Sequence, residues 1–92
     1  MKAKDQILWE ENMLLNKLLK NKSLSLETDV IINSICVNYL IKSTTSDKKF
    51  AIIKSNDKFE KEALDNCGYT TYQTEKLDIS IIEYLIQYIF RN

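Results

Sequence analysis

Hydrophobic positions recur at helical spacing near both ends of the chain. Near the start, Ile and Leu residues form one stripe between about Lys4 and Asn21, and Trp9 and Met13 lie on the opposite side of the same helix. Near the end, Asp78 is a natural N-cap for a helix rich in Ile and Leu. The pattern predicts a long N-terminal and a C-terminal amphipathic helix. The N-terminal stripe consists of Ile7, Leu8, Leu14, Leu15, Leu18 and Leu19.

Short apolar runs separated by polar turns lie between these helices. Lys49–Lys54 has the composition of a buried strand, and Tyr69–Thr74 alternates Tyr and Thr as edge strands do. The segment between them is typical of a helix. Asp57 caps its start as part of a capping box with Glu60, and Gly68 follows its end, where a left-handed residue is favoured.

The segment Thr28–Lys42 is ambiguous between helix and strand. Its many Val and Ile residues favour strand, but the run is long for one strand. Thr28 with Asp29 makes a fair helix start and Lys42 a fair helix end, and apolar residues would occupy nearly the whole circumference. We predict a buried helix here, with a strand as the alternative. A short strand or an extended linker precedes it at Ser23–Leu26.

These elements predict a single α+β domain over residues 1–92. The predicted sheet is small, with two or three strands, and about four helices pack on one of its faces.

Composition argues against most kinds of active site. The chain has no histidine, two cysteines and one glycine. Histidine is the commonest acid–base group and metal ligand, and a single glycine does not make a phosphate-binding loop. No histidine is present to activate Cys36 or Cys67 as a nucleophile. We therefore expect no enzymatic activity, no cofactor and no metal site.

Charge and segment length bear on the location of the protein. Thirteen basic residues balance thirteen acidic ones, so no net charge attracts the chain to nucleic acid or to an anionic membrane. The charged N-terminal residues are unlike a signal peptide, and the most apolar stretch, Leu77–Phe90, is too short and too charged to span a bilayer. We expect a cytoplasmic protein with reduced thiols and no membrane partner.

The N-terminal helix supports the leading functional hypothesis, a protein-binding module. A small domain has little surface with which to cover both apolar sides of this helix, and Trp and Met are enriched in interfaces. Glu11 lies within the leucine stripe, where a lysine of a second molecule would neutralise it. We predict that Trp9, Met13, Glu11 and Lys17 form an interface with a partner protein or with a second copy in a homodimer. In the alternative, Trp9 packs in the core.

The residue usage bears on the source of the chain. Lysine greatly outnumbers arginine and isoleucine outnumbers alanine, as expected of an AT-rich genome. Small chains of this kind without catalytic residues are often regulators or inhibitors encoded by phages or other mobile elements of low-GC hosts.

A small nucleic-acid-binding regulator is the alternative function, and a structural subunit of a larger assembly is a third. Four lysines surround the predicted buried strand, and two tyrosines in the neighbouring strand are placed to stack on bases. The scarcity of arginine, the main base-reading residue, weakens this hypothesis. The six residues are Lys48, Lys49, Lys54, Lys58, Tyr69 and Tyr72.

Overall fold

The structure, a computed structural model, describes residues 4–20 and 22–91. In these ranges three helices and four strands follow one another, which confirms the α+β class. The elements are α1 (Lys4–Leu19), β1 (Leu24–Ile32), β2 (Ile35–Ser43), β3 (Lys49–Ile53), α2 (Lys58–Asn66), β4 (Thr70–Gln73) and α3 (Ile79–Phe90).

The strands form one sheet in the order β1-β2-β3-β4. β1, β2 and β3 pair antiparallel, whereas β4 runs parallel to β3 after the crossover helix α2. Phe50 and Ile52 of β3 belong to a core shared with α1 and α3, whereas Ala51 and Ile53 belong to a core shared with α2. The prediction that all helices pack on one face is therefore wrong. A parallel pair needs a crossover element on one face of the sheet, and α1 and α3 cover the other.

Residues 28–42 form most of a β-hairpin and not the predicted buried helix. β1 and β2 pair from Leu24 opposite Ser43 to Ile32 opposite Ile35. The two turn residues, Asn33 and Ser34, have φ values of 50° and 67°, and type I′ turns require positive φ at both positions. A turn without glycine is a weak sequence signal, so two strands are read as one long apolar run. The sheet consequently has four strands and not two or three, and the described chain has three helices and not four.

The side of β1 that is buried switches from one face of the sheet to the other at Asp29. Leu26 packs on the core of α1 and α3, whereas Val30 packs on the core of α2. Asp29 adopts a left-handed conformation with φ of 54°, and its pairing with Asn38 is missing from an otherwise continuous register. The far half of the hairpin therefore contributes to the core beneath α2.

Side-chain caps begin α2 and α3 at the predicted residues. Asp57 accepts a hydrogen bond from the backbone two residues ahead at 2.9 Å, and Asp78 does the same at 3.0 Å. Glu60 does not reach back to the N–H of Asp57 directly. That N–H donates to Ser55 Oγ, and the Ser55 hydroxyl donates to Glu60. The predicted capping box is thus replaced by a relay through Ser55.

α1 and α3 lie on the same face of the sheet and share one core. Leu15 and Leu19 of α1 belong to the same buried cluster as Ile82 and Ile86 of α3. Leu14 departs from the predicted stripe, because 48% of its surface is exposed. The side chains of Ile7 and Leu8, and all of Asn21, lie outside the described residues. In the described part of the chain, no helix is both long and apolar enough to cross a membrane.

Gly68 ends α2 in a left-handed conformation, with φ of 92°. Its N–H donates to the carbonyl of Asp65, and the N–H of Tyr69 donates to the carbonyl of Leu64. These two bonds form a Schellman motif, in which glycine is favoured because it has no Cβ. A Cβ added at Gly68 would meet no atom within 4 Å, so only the local backbone opposes a side chain here.

We expect Gly68→Ala to lower the free energy of unfolding by about 1 kcal/mol, because an L-residue is strained at this φ. Gly68→Asn should lose less, since Asn tolerates the left-handed region. Urea unfolding followed by circular dichroism measures both changes. An alanine variant as stable as the native protein would contradict the role of this conformation.

Candidate functional site

Glu11 lies on the side of α1 that faces the sheet. Only 13% of its side chain is exposed. The carboxylate accepts a hydrogen bond from the hydroxyl of Tyr39 at 3.0 Å and forms an ion pair with the ammonium group of Lys54. Tyr39 belongs to β2 and Lys54 follows β3, so this cluster joins α1 to the two central strands. The lysine that we expected from a second molecule is therefore Lys54 of the same chain, and the interface proposed below does not include Glu11.

Tyr39 serves this cluster as a hydrogen-bond donor. Burial, and then the hydrogen bond to Glu11, raise the pKa of its hydroxyl well above its usual range. A cavity of about 40 Å³ beside Tyr39 is lined by Asn12 and by residues of β1 and β2. Such a volume holds little more than a water molecule and is far below that of a ligand pocket. The cluster is thus an anchor between elements and does not form a substrate site.

The opposite face of α1 is turned to solvent. Trp9 is 61% exposed and Met13, one turn later, is 52% exposed. Lys17 is exposed one further turn along the same face, as is Lys20 just beyond the helix. Trp9 therefore does not pack in the core, and the face combines two large apolar side chains with two cations.

The six residues of the nucleic-acid hypothesis lie in different places. Lys48 and Lys49 line one cleft, and the Lys49 ammonium lies 5.2 Å from the centre of the Tyr69 ring. Lys54 is held by Glu11 beneath α1. Lys58 begins α2, where it lies over the ring of Phe59. Tyr69 and Tyr72 pack against different cores on opposite faces of the sheet, so β4 offers no single stacking surface.

Sequence reasoning missed an exposed apolar stripe on α3. Ile81 is 43% exposed, Tyr84 is 68% exposed and Tyr88 is 61% exposed. Their spacing is that of one helix face. The sequence contains this spacing, but in a helix that is apolar on most sides it does not stand out from the residues that form the core.

It also missed a cluster of cations at the end of the molecule where α1 and α3 finish. A cleft of about 530 Å³ is lined there by residues that include Lys22, Lys48 and Arg91. A second cleft, of about 720 Å³, includes Lys48, Lys49 and Arg91. We name the four residues Lys22, Lys48, Lys49 and Arg91 the basic pole. Lys48 and Lys49 belong to the predicted nucleic-acid residues, whereas Lys22 and Arg91 come from distant segments, so no local motif predicts that the four lie together.

Neither cysteine belongs to a recognisable site. Cys36 and Cys67 are both free and exposed. Among the described residues, no three or more His, Cys, Asp or Glu side chains are grouped to hold a metal ion. No protein-family model, curated protein or solved structure matches the chain.

We expect Glu11→Ala to lower the free energy of unfolding by about 3 kcal/mol, because it leaves the largely buried Lys54 ammonium unpaired. Glu11→Leu combined with Lys54→Leu should recover most of this loss. Glu27→Ala is the matched control, since it breaks the exposed Glu27–Lys42 pair and should cost at most about 1 kcal/mol. Urea unfolding measures these changes. If Glu11→Ala and Glu27→Ala lower the free energy of unfolding equally, the Glu11–Lys54 pair does not anchor α1 to the sheet.

Tyr39→Phe should lower stability at neutral pH by about 1.5–3 kcal/mol, the usual cost of losing a hydrogen bond to a charged group. The pKa of Tyr39 is raised above its ordinary value of 10.0, so above that pH the unfolded chain loses the proton first. Native stability should therefore fall as the pH rises above this value, and it should fall less steeply in Tyr39→Phe. Urea unfolding midpoints measured at several alkaline pH values test this prediction. If the midpoints of the native protein and of Tyr39→Phe fall in parallel as the pH rises, the prediction is wrong.

Proposed function

We propose that this protein is a non-catalytic protein-binding module that inserts the outward face of α1 into an apolar cleft on a partner protein. The observation that carries this proposal is the exposure of Trp9 and Met13, at 61% and 52%, one turn apart on a helix. Burying one such side chain contributes roughly 1.5–3 kcal/mol, so the two supply the centre of the interface.

The anchoring of α1 supports this assignment. Leu15 and Leu19 are buried in the core and Glu11 is paired with Lys54, so the inner side of the helix is occupied within the chain. Turning Trp9 inward would require this ion pair to break. The exposed face is therefore a stable feature of the folded chain that a partner meets preformed.

The chemistry of the same face describes the partner. Trp9 and Met13 are followed along the helix by the exposed cations Lys17 and Lys20. An apolar half and a cationic half match a cleft that is apolar at one end and acidic at the other. Binding by a helix face blocks or repositions the partner's surface, which suits the regulator or inhibitor role that the composition favours.

Photocrosslinking tests the proposal in the native host. A benzophenone amino acid at position 9 should crosslink one protein, and the same group at Glu62, on the exposed side of α2, should not. Affinity for the identified protein, purified separately, is then measured by isothermal titration calorimetry, because a variant without Trp9, the single tryptophan of the chain, has no indole emission. In the native protein the emission of Trp9 should also shift to the blue on binding.

The affinity of variants decides the result. Trp9→Ala with Met13→Ala should weaken binding by a factor of about 30 or more, as a hot spot does. Asn16→Ala, on the same exposed face, should leave the affinity unchanged. If the double variant binds with native affinity, the proposed role of this face is wrong. The same holds if the benzophenone at position 9 crosslinks only a second copy of the chain, which light scattering would detect as a product with twice the mass of one chain.

A further inference from the structure

The basic pole differs from the paired lysines of the chain in its electrostatic surroundings. Among the described side chains, three lysines form ion pairs with carboxylates, namely Lys42, Lys54 and Lys61. Within residues 9–20 and 22–91, no carboxylate lies at ion-pair distance from any of the four cations of the basic pole. These four charges are therefore not paired with a described carboxylate, although the net charge of the whole chain is zero.

The fold produces this concentration of charge. Lys22 follows α1, Lys48 precedes β3 and Lys49 begins it, and Arg91 follows α3. Asp47 also lines the second cleft, so one acidic side chain stands among the four cations. The balance at this end of the sheet is positive and favours an anionic ligand.

The two clefts adjoin one another. Both are lined by Ser46, Lys48 and Arg91, so an extended ligand can pass from one cleft to the other beside these residues. Ser43 and Thr45 also line the first cleft, and their hydroxyls lie 3.2 Å apart within the loop, so the groups left for a ligand are mainly the cations. Cations that line two adjoining clefts suit a ligand that carries more than one phosphate.

Exposed aromatic rings adjoin the same clefts. Tyr88 lines the second cleft, and the guanidinium group of Arg91 lies 5.2 Å from the centre of its ring. Tyr84 lies beside Tyr88 and Arg91 in a further depression of about 300 Å³. Stacking on aromatic rings next to a cationic groove is how proteins hold single-stranded nucleic acid. An acidic peptide has no regular series of planar rings that could stack on Tyr84 and Tyr88.

Cations near the ends of helices also stabilise the helix dipole, and this accounts for part of the pole. The Lys48 ammonium donates to the backbone carbonyl of Arg91 at 3.0 Å. The ammonium groups of Lys22 and Lys49 make no such hydrogen bond within the described residues, and Lys49 lies over the ring of Tyr69. Helix stabilisation therefore does not explain the whole cluster.

We propose that the basic pole binds single-stranded nucleic acid, with phosphates on its lysines and a base stacked on Tyr88. This site keeps Lys48 and Lys49 of the alternative hypothesis and adds Lys22, Arg91 and Tyr88. It lies apart from Trp9 and Met13, so it is independent of the protein-binding function proposed above.

The test is fluorescence anisotropy with a short labelled oligothymidylate over a range of salt concentrations. Affinity should fall steeply with salt, and replacing Lys22, Lys48 and Lys49 by alanine should reduce the salt slope by about two units. The control replaces Lys58, Lys61 and Lys76 by alanine, which removes the same charge away from the pole and should leave the slope unchanged. Circular dichroism verifies that both variants are folded.

Stacking is tested separately at Tyr88. Tyr88→Leu should weaken binding at least about five-fold, whereas Tyr88→Phe, which keeps the ring, should not. Absence of oligonucleotide binding at low salt would overturn the proposal. So would equal loss of binding in the two lysine variants. Competition by polyglutamate as effective as that by unlabelled oligothymidylate, with no effect of Tyr88→Leu, would show that the pole recognises acidic protein segments instead.

Discussion

The ion pair between Glu11 and Lys54 determines how α1 is oriented on the sheet. The ion pair and the Tyr39 hydroxyl lie between α1 and the two central strands. They are largely buried there, so an unpaired charge would lower the stability of the fold. A helix presents only one face inward, so placing Glu11 at the sheet turns Trp9 and Met13 toward solvent. The surface proposed for protein binding therefore depends on a polar contact on the far side of the same helix.

The same core that holds α1 also holds α3 and so brings the ends of both helices together. Because Leu15 and Leu19 pack with Ile82 and Ile86, Lys22 and Arg91 lie at the same end of the sheet as Lys48. A chain with no net charge thereby acquires a positive end and a separate apolar face on α1. The two proposed functions use these two surfaces and do not compete for residues.

The sequence predicts the ends of the helices correctly but not the structure of the central segment, residues 28–42. Asp57, Gly68 and Asp78 act through the backbone within a few residues of themselves, so their roles could be predicted from local sequence. The Asn33-Ser34 turn lies inside a long apolar run and contains no glycine, so the local pattern predicts a helix where the hairpin forms. Strand pairing satisfies backbone hydrogen bonds between distant residues, which a local pattern does not reveal.

Taken alone, the sequence determined the α+β class, the caps of α2 and α3, and the amphipathic character of α1, because each follows from neighbouring residues. It also identified Trp9 and Met13 as separate from the leucine stripe. Only the tertiary structure decided that the lysine partner of Glu11 is Lys54, that α2 covers the second face of the sheet, and that four cations meet at one end. These are contacts between residues far apart in the chain, and packing of the elements brings them together.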